Sequence, residues 1–145
     1  MTNVEDFLSH EEEQEIIDAI REAEQNTSGE IRVHLERNSK GDIFDRALEV
    51  FHLLKMDNTK LQNGVLIYVA IDDRNFVIYG DKGINDSVPT DFWDSTKDIM
   101  VSYFKKGNYT KGLVEGVLMA GKQLEKHFPW EHSDKNELPD NISKG

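Results

Sequence analysis

An apolar run in the middle of the chain constrains the fold more than any other feature. The segment VLIYVAI, residues 65–71, is apolar or aromatic at every position, so both faces of the strand that it predicts must be covered. An earlier segment, EIRVHLE at residues 30–36, alternates strictly and places Ile31, Val33 and Leu35 on one face. Residues 65–71 therefore predict a central strand, and residues 30–36 predict a strand with one buried apolar face.

A helical segment separates these two strands. In IFDRALEVFHLL, residues 43–54, apolar residues recur at helical spacing, and Asp42 stands where the N-cap belongs. Strand, helix and strand in this order predict a right-handed crossover between parallel strands. The turn sequence DDRN then leads into FVIYG at residues 76–80, which predicts a third strand antiparallel to the second.

Helices account for most of the remaining chain. Ser9 and Glu12 form a capping-box pattern at the start of an amphipathic helix, and two further helical patterns follow the third strand. These elements predict an α/β fold, a three-layer α/β/α sandwich with a small mixed sheet and about four helices. We expect one domain over residues 8–128 and a disordered polar tail over residues 129–145.

The charge balance limits the partners of the chain. It has 28 Asp and Glu residues against 17 Lys and Arg, for a formal net charge of -11, which repels nucleic acids and anionic lipids and favours cations or basic protein partners. It has no cysteine, no secretory signal pattern and no apolar run near the ~20 residues of a membrane helix. We therefore expect a soluble, cytoplasmic protein that binds no nucleic acid and does not insert into a membrane.

The acidic residues of the predicted hairpin form two separate groups. Pairing the strands about Asp73 and Arg74 places Asp72 at one end of the hairpin and Asp81, opposite Leu66, at the other. At ~3.3 Å per residue, the intervening strand holds Asp72 and Asp81 ~20 Å apart, so one ion cannot bind both. Each group must therefore be interpreted separately.

The first group lies at the carboxyl edge of the predicted sheet. Asp72 and Asp73 follow the second strand, while Asp42 and Asp45 follow the first strand, which ends at Glu36. Because loops after parallel strands emerge at the same edge, these carboxylates can supply the several oxygen ligands that Ca²⁺ or Mg²⁺ requires. In the alternative interpretation, Asp42 caps the helix with Asp45 as its partner, and DDRN is turn chemistry only.

Asp81 marks the second group. Glu30 and Asp57 lie at the same predicted end, and the glycines of GDKG, residues 80–83, can turn carbonyl oxygens toward a cation. The same letters are also ordinary turn signals. Asp81 is therefore a second candidate metal site.

Other catalytic patterns do not occur in the sequence. It contains no HExxH motif, GxSxG elbow or P-loop, and its five histidines show no metal-ligand spacing. His34 lies on the polar face of the first strand with Glu30, Arg32 and Glu36, and we favour a structural role for that face over a ligand surface. A metal-assisted phosphoryl hydrolysis needs only the acidic edge, because a bound cation lowers the pKa of its water.

Several pieces of sequence follow one another in a characteristic order: TSGEIRVHLE, RALEVFHLLKM, NGVLIYVAIDDR, GDKGI, DFWD and GNYTKGL. As a series they resemble the TPM domain family, which is named for a thylakoid lumen protein, a photosystem II repair protein and a nematode modulator of acetylcholine receptors. The resemblance covers residues 8 to 128 and implies an α/β/α sandwich.

The resemblance also implies binding of calcium or magnesium at acidic loops, and the acid phosphatase activity ascribed to a plant member. Carried over by position, the acidic loop sites of the family fall on Asp42 and Asp45 after the first strand and on Asp72 and Asp73 in the hairpin. Asp81 occupies the glycine-rich segment after the third strand.

Three functions therefore stand as predictions. The first is a domain that binds Ca²⁺ or Mg²⁺ through Asp72 and Asp73 with help from Asp42 or Asp45. The second is a metal-dependent acid phosphatase acting on a small phosphate ester. The third is a non-catalytic interaction module that meets a basic protein partner through the polar strand face or the tail around Trp130.

Overall fold

A mixed four-stranded sheet with helices on both faces forms the domain. The computed structural model describes residues 7–130 and 142–144. The helices are α1 (His10–Glu24), α2 (Ile43–Leu53), α3 (Lys82–Asn85), α4 (Asp94–Phe104) and α5 (Tyr109–Glu125). The strands are β1 (Glu30–Glu36), β2 (Gly64–Ala70), β3 (Asn75–Gly80) and β4 (Ser143–Lys144).

The sheet has the strand order β3, β2, β1, β4. As the sequence predicts, β1 and β2 are parallel and joined through α2, and β2 and β3 form an antiparallel hairpin. The hairpin register differs by two residues from the predicted one, because Asp81 lies beside Gly64 and not beside Leu66. The reason is a longer turn, which spans residues 71–74 and closes through Arg74 in the left-handed conformation at φ 50°.

Each face of the sheet covers one apolar core. The larger core lies between the sheet and helices α1, α4 and α5, and it includes Ile31, Leu35 and Ile67. The smaller core lies under α2, where Phe51 packs with Tyr68. Every residue of β2 is buried, as its continuous apolar sequence predicts. The three-layer α/β/α arrangement is therefore confirmed, and α3 adds a short fifth helix to the four that we expected.

Side-chain caps start two of the helices where the sequence placed them. The N–H of Glu12 donates to Oγ of Ser9 at 3.1 Å, and Oε1 of Glu12 accepts the N–H of Ser9 at 2.9 Å. These two bonds form the predicted capping box of α1. At the start of α2, Oδ1 of Asp42 accepts the N–H of Asp45 at 2.9 Å. The cap places the first turn of α2 directly after the loop that leaves β1.

A fourth strand, which the sequence did not predict, completes the sheet. Ser143 and Lys144 pair in parallel with His34 and Leu35 at the edge of β1. This part of the predicted tail over residues 129–145 is therefore in the sheet, and residues 131–141 lie outside the described residues. Two residues are too few to show a strand period, so their sequence carried no signal for this pairing.

Candidate functional site

The loops that follow β1 and β2 lie side by side, as their parallel topology predicts. The N–H of Ile71 donates to the carbonyl of Glu36 at 2.8 Å, and the N–H of Asp72 donates to the carbonyl of Arg37 at 2.6 Å. These bonds hold the acidic hairpin turn against the loop over residues 37–42. The carboxyl edge of the sheet is therefore the place where the first acidic group assembles.

Asp72 and Asp73 line a cleft of about 500 Å³, which we call the turn cleft. Nε of Arg37 lies 3.4 Å from Oδ2 of Asp72, and the N–H of Ser39 donates to Oδ2 of Asp73 at 3.3 Å. The Arg37 contact is an ion pair without a hydrogen bond, and among the described residues Oδ1 of Asp72 and Oδ1 of Asp73 accept no hydrogen bond. The remaining walls are Asn38, Lys40, Gly41, Ile43 and Asn75.

Asp42 and Asp45 line a different cleft of about 730 Å³, which we call the helix cleft. Residues 38–41 form a wall of both clefts, so the two lie next to each other. One carboxylate oxygen of Asp42 accepts the hydrogen bond that caps α2. The structure therefore divides the four predicted metal ligands into two pairs in neighbouring clefts. The remaining walls of the helix cleft are Glu36, Arg37, Arg46 and Glu49.

The turn cleft fits a cation only if neutral ligands complete the coordination. Within residues 7–130 and 142–144, no group of three or more His, Asp or Glu side chains is placed to hold a metal ion. Asp72 and Asp73 would supply two carboxylates, and Asn75, the loop over residues 38–41 and water would supply neutral oxygens. This donor set suits a hard cation such as Ca²⁺, and the assignment of a metal to it stays a prediction.

A buried polar cluster beside the helix cleft was not recognised from the sequence. We call it the Glu36 cluster, and its members are His34, Glu36, Arg46 and Tyr68. Arg46 donates from Nε to Oε2 of Glu36 at 2.9 Å and from Nη2 to Oε1 at 2.7 Å. The Tyr68 hydroxyl donates to Oε2, and Nε2 of His34 lies 3.3 Å from Oε1. Both oxygens of the Glu36 carboxylate are therefore engaged by protein donors.

The cluster keeps Glu36 ionised. Burial by itself raises the pKa of Glu36, but hydrogen bonds from Arg46, Tyr68 and His34 outweigh burial and lower that pKa to about 2. The hydrogen bond to Glu36 raises the pKa of Arg46, while burial and then the bond to Glu36 raise the pKa of Tyr68. Glu36 is therefore a fixed anion, unsuited to accept a proton as a general base at neutral pH.

His34 connects the Glu36 cluster to the C-terminal strand. Its Nδ1 lies 2.9 Å from Oγ of Ser143, and its ring stacks on Tyr68 with centroids 5.7 Å apart. Because the Glu36 carboxylate can only accept, Nε2 of His34 carries the proton, and Nδ1 of the neutral ring accepts from the Ser143 hydroxyl. Burial lowers the pKa of His34, and the bond to Glu36 partly offsets this effect.

The polar face of β1 is an interior surface. Glu30, His34 and Glu36 are each buried, which agrees with the structural role that we favoured and not with an exposed surface for a partner. Strand alternation does predict that His34 and Glu36 share a face. It does not predict Tyr68 or Arg46 as their partners, because these come from β2 and α2 and meet Glu36 only in the folded chain.

Asp81 lies at the other end of β2, beside Gly64, and is nine-tenths buried. Its Oδ1 accepts the N–H of Lys82 at 2.7 Å and caps the four-residue helix α3, while its Oδ2 has no hydrogen-bond partner within the described chain. Asp57, which we expected at the same end, contacts His52 at 3.0 Å. Asp81 is thus a helix cap, and its role as a second metal site stays a prediction.

Most of the chain matches a known protein family. The model of the TPM domain family matches residues 1–123. The chain belongs to the TPM domain family. This TPM domain is similar to the BA42 protein of the psychrophilic bacterium Bizionia argentinensis, known from an NMR structure. The two are 63% identical, the match covers 100% of each chain, and the TM-score is 0.94.

More distant solved structures share the fold of this TPM domain. The N-terminal domain of a protein from P. gingivalis is 26% identical, with 87% of this chain and 83% of that chain covered and a TM-score of 0.68. The N-terminal domain of the cg2496 protein from Corynebacterium glutamicum is 12% identical, with 95% and 80% covered and a TM-score of 0.64. At that identity the likeness concerns the fold alone.

No curated protein matches this TPM domain at a significant level. Over the residues that the structure describes, no helix combines the length and the apolar character needed to cross a membrane. The cytoplasmic location and the lack of nucleic-acid binding stay predictions from the sequence.

Proposed function

We propose that this TPM domain binds a divalent cation, Ca²⁺ or Mg²⁺, in the turn cleft. The observation that carries the proposal is the position of Asp72 and Asp73, which line one cleft with a carboxylate oxygen each that lacks a hydrogen-bond partner among the described residues. Adjacent carboxylates repel each other, and a cation between them removes this repulsion. The family resemblance supports the same assignment.

The donor set favours weak binding of a hard cation. Ca²⁺ accepts neutral oxygens in flexible geometry, so Asn75 and the loop over residues 38–41 can complete its coordination, whereas Mg²⁺ would keep several waters. With two carboxylates we expect a Kd for Ca²⁺ of roughly 10⁻⁴ to 10⁻³ M. In this proposal Asp42 and Asp45 act from the neighbouring helix cleft by their charge, without a direct bond to the cation.

The test is a Ca²⁺ titration of the full chain followed by amide NMR spectra. We expect the resonances of residues 38–46 and 71–75 to move at millimolar cation, because both loops line the two clefts. Resonances that stay still in both ranges would rule out the turn cleft. Movement around Asp81 alone would favour the second candidate site.

A pair of double variants separates a defined site from general attraction of cations to an acidic chain. Asp72→Asn with Asp73→Asn removes both charges with little change in shape, and we expect it to abolish the saturable movement. Asp91→Asn with Asp98→Asn removes two exposed carboxylates elsewhere and serves as the matched control. An equal loss in both double variants would show counterion attraction only.

We also propose, as a second function, metal-dependent hydrolysis of a small phosphate ester. The favouring observation is the basic pair beside the carboxylates: Lys40 lines both clefts, and Arg37 lines the helix cleft while contacting Asp72. These two cations would hold phosphate oxygens by charge and hydrogen bonds. When bound, a divalent cation supplies polarisation of a phosphate oxygen and an acidified water.

Turnover of p-nitrophenyl phosphate tests this second function. We expect the Asp72→Asn, Asp73→Asn double variant to lose turnover and the Asp91→Asn, Asp98→Asn control to retain it. Equal turnover in all three proteins would identify a contaminating phosphatase. Cation binding without turnover would leave the first proposal standing and remove the second.

Binding of a basic protein partner near Trp130 is the third function that we keep as a proposal. Trp130 is 44% exposed, and tryptophan is enriched at protein interfaces. Capture of a defined partner that ignores EDTA and is lost in Trp130→Ala would support it. Capture that survives this substitution would exclude the segment as the contact.

A further inference from the structure

The C-terminal residues that the structure describes are held by side chains from separate elements. Ile142 is buried in the larger core. Oγ of Ser143 lies 2.9 Å from Nδ1 of His34 on β1, and Nζ of Lys144 lies 2.6 Å from Oε1 of Glu13 on α1. An apolar, a hydroxyl and a cationic side chain thus follow one another, and each has a matching partner in the domain.

This attachment is small in extent. Among the described residues, β4 pairs with two of the seven residues of β1, at the edge of the sheet. The TPM family match ends at residue 123, so β4 lies outside the matched part of the chain. Short edge elements with few partners open locally while the rest of a domain stays folded.

One side chain joins β4 to the Glu36 cluster. His34 contacts Ser143 through one ring nitrogen and Glu36 through the other, and Glu36 in turn holds Arg46, which lines the helix cleft. With β4 in place, the Ser143 hydroxyl satisfies Nδ1 of the buried His34 ring. Without it, a buried ring nitrogen would lack a partner until water entered.

We propose that Ile142–Lys144 form a latch, which opens by local unfolding and controls the access of water to the Glu36 cluster. The closed latch covers the edge of β1 and shields His34. The open latch exposes this edge and hydrates His34, while Arg46 and Tyr68 still hold the Glu36 carboxylate. The latch does not depend on cation binding in the turn cleft, and its tests are made on the full chain in EDTA.

Amide hydrogen exchange measures the opening directly. In Ser143→Ala we expect the amides of β4 and of residues 34–35 that are protected in the wild type to exchange roughly fivefold to tenfold faster, as the loss of one hydrogen bond predicts. Protected amides of β2, such as those of Leu66 and Tyr68, report global unfolding and should keep their rates. Ser102→Ala is the matched control, because its hydroxyl bonds only within α4 at an exposed position.

The outcomes separate a latch from a simple loss of stability. Equal acceleration in β2 and β4 would show global destabilisation and overturn the latch. Unchanged rates in both Ser143→Ala and Ile142→Ala would show that β4 does not open independently, which also overturns it. Acceleration confined to β4 and the adjoining edge of β1 supports it.

The titration of His34, followed through its ring protons, tests the connection to the Glu36 cluster. The charged and titratable groups around the ring are Glu36 and Arg32 from β1 and Arg46 from α2, with Tyr68 stacked on it. Ser143→Ala removes a donor to the neutral ring and admits water, so the pKa of His34 should rise. Ser143→Thr keeps a hydroxyl and should retain the wild-type pKa of His34. An unchanged pKa of His34 in Ser143→Ala would contradict the proposed connection.

Discussion

The turn cleft and the Glu36 cluster lie at the same edge of the sheet, yet their carboxylates are in opposite situations. Asp72 and Asp73 each keep an oxygen without a hydrogen-bond partner in the described chain, whereas both oxygens of Glu36 are engaged by Arg46, Tyr68 or His34. A carboxylate whose two oxygens already accept hydrogen bonds from the protein stabilises the fold and has few lone pairs available for a ligand. Acidic residues at an edge are therefore informative about ligands only once their hydrogen bonds are known.

The position of each carboxylate explains this difference. Glu36 ends a buried strand and faces α2, so the first turns of that helix bring Arg46 to it. Asp72 and Asp73 lie in a surface turn, where Arg37 and the backbone of Ser39 contact them in the described part of the chain. A buried polar group without a hydrogen bond costs free energy, so buried carboxylates are paired within the protein. Carboxylates in surface turns can bind water or a cation.

The largest expected effect comes from breaking the Glu36 cluster. Arg46→Ala removes two donors from a buried anion, and we expect a loss of about 3 kcal/mol in the free energy of unfolding. Urea denaturation measures it, with the exposed Lys97→Ala as the control, for which we expect a change within about 0.5 kcal/mol. A loss as small as that of the control would mean that Tyr68 and His34 satisfy Glu36 without Arg46.

The pH dependence of stability should distinguish the cluster from the cleft. The pKa of Glu36 is about 2 in the folded chain and near 4.5 when unfolded, so its contribution is complete above the unfolded pKa and disappears as pH falls from about 5 toward 2. We expect the wild type to lose about 2 kcal/mol more than Glu36→Gln over this interval. Parallel stability curves for the two proteins would contradict the lowered pKa.

A smaller effect is expected from the tyrosine of the cluster. Tyr68→Phe removes the hydroxyl donor to Glu36 and leaves the ring packing, so we expect a loss of about 1 kcal/mol, measured by thermal or urea unfolding. Tyr103→Phe is the control, since the half-exposed Tyr103 interacts with Lys111 through its ring face. Indistinguishable losses in the two variants would remove the Tyr68 hydroxyl from the account of Glu36.

The smallest effect should come from the turn cleft without cation. Asp72→Asn with Asp73→Asn breaks only a half-exposed ion pair and a backbone contact, so we expect a change within about 0.5 kcal/mol. At about 10 mM Ca²⁺ and the Kd proposed above, the free energy of unfolding of the wild type should rise by roughly 1.4 to 2.7 kcal/mol, and that of the double variant should not change. A large loss of the free energy of unfolding in EDTA would show that the turn carboxylates stabilise the fold, as Glu36 does.

Patterns among residues close in sequence predict much of the fold. The capping box of Ser9 and Glu12 and the Asp42 cap each depend on residues close in sequence, and the structure has both. The alternating sequence of β1 also forms a strand, although its polar face is largely buried too. The predicted hairpin register was wrong by two residues. The number of residues in the turn, two or four, depends on backbone conformations such as that of Arg74. The chain order of strand, helix and strand sufficed to bring the two acidic loops to one edge.

By itself, the sequence determined the α/β/α layers, the parallel crossover, the family resemblance and the edge at which carboxylates gather, because periodicity, caps and handedness act over short stretches of chain. Only the tertiary structure decided that Asp42 and Asp72 line different clefts, that Arg46 and Tyr68 satisfy Glu36, and that Ser143 reaches His34. Such pairings join elements distant in sequence, and packing and the burial of polar groups select them after the local elements exist.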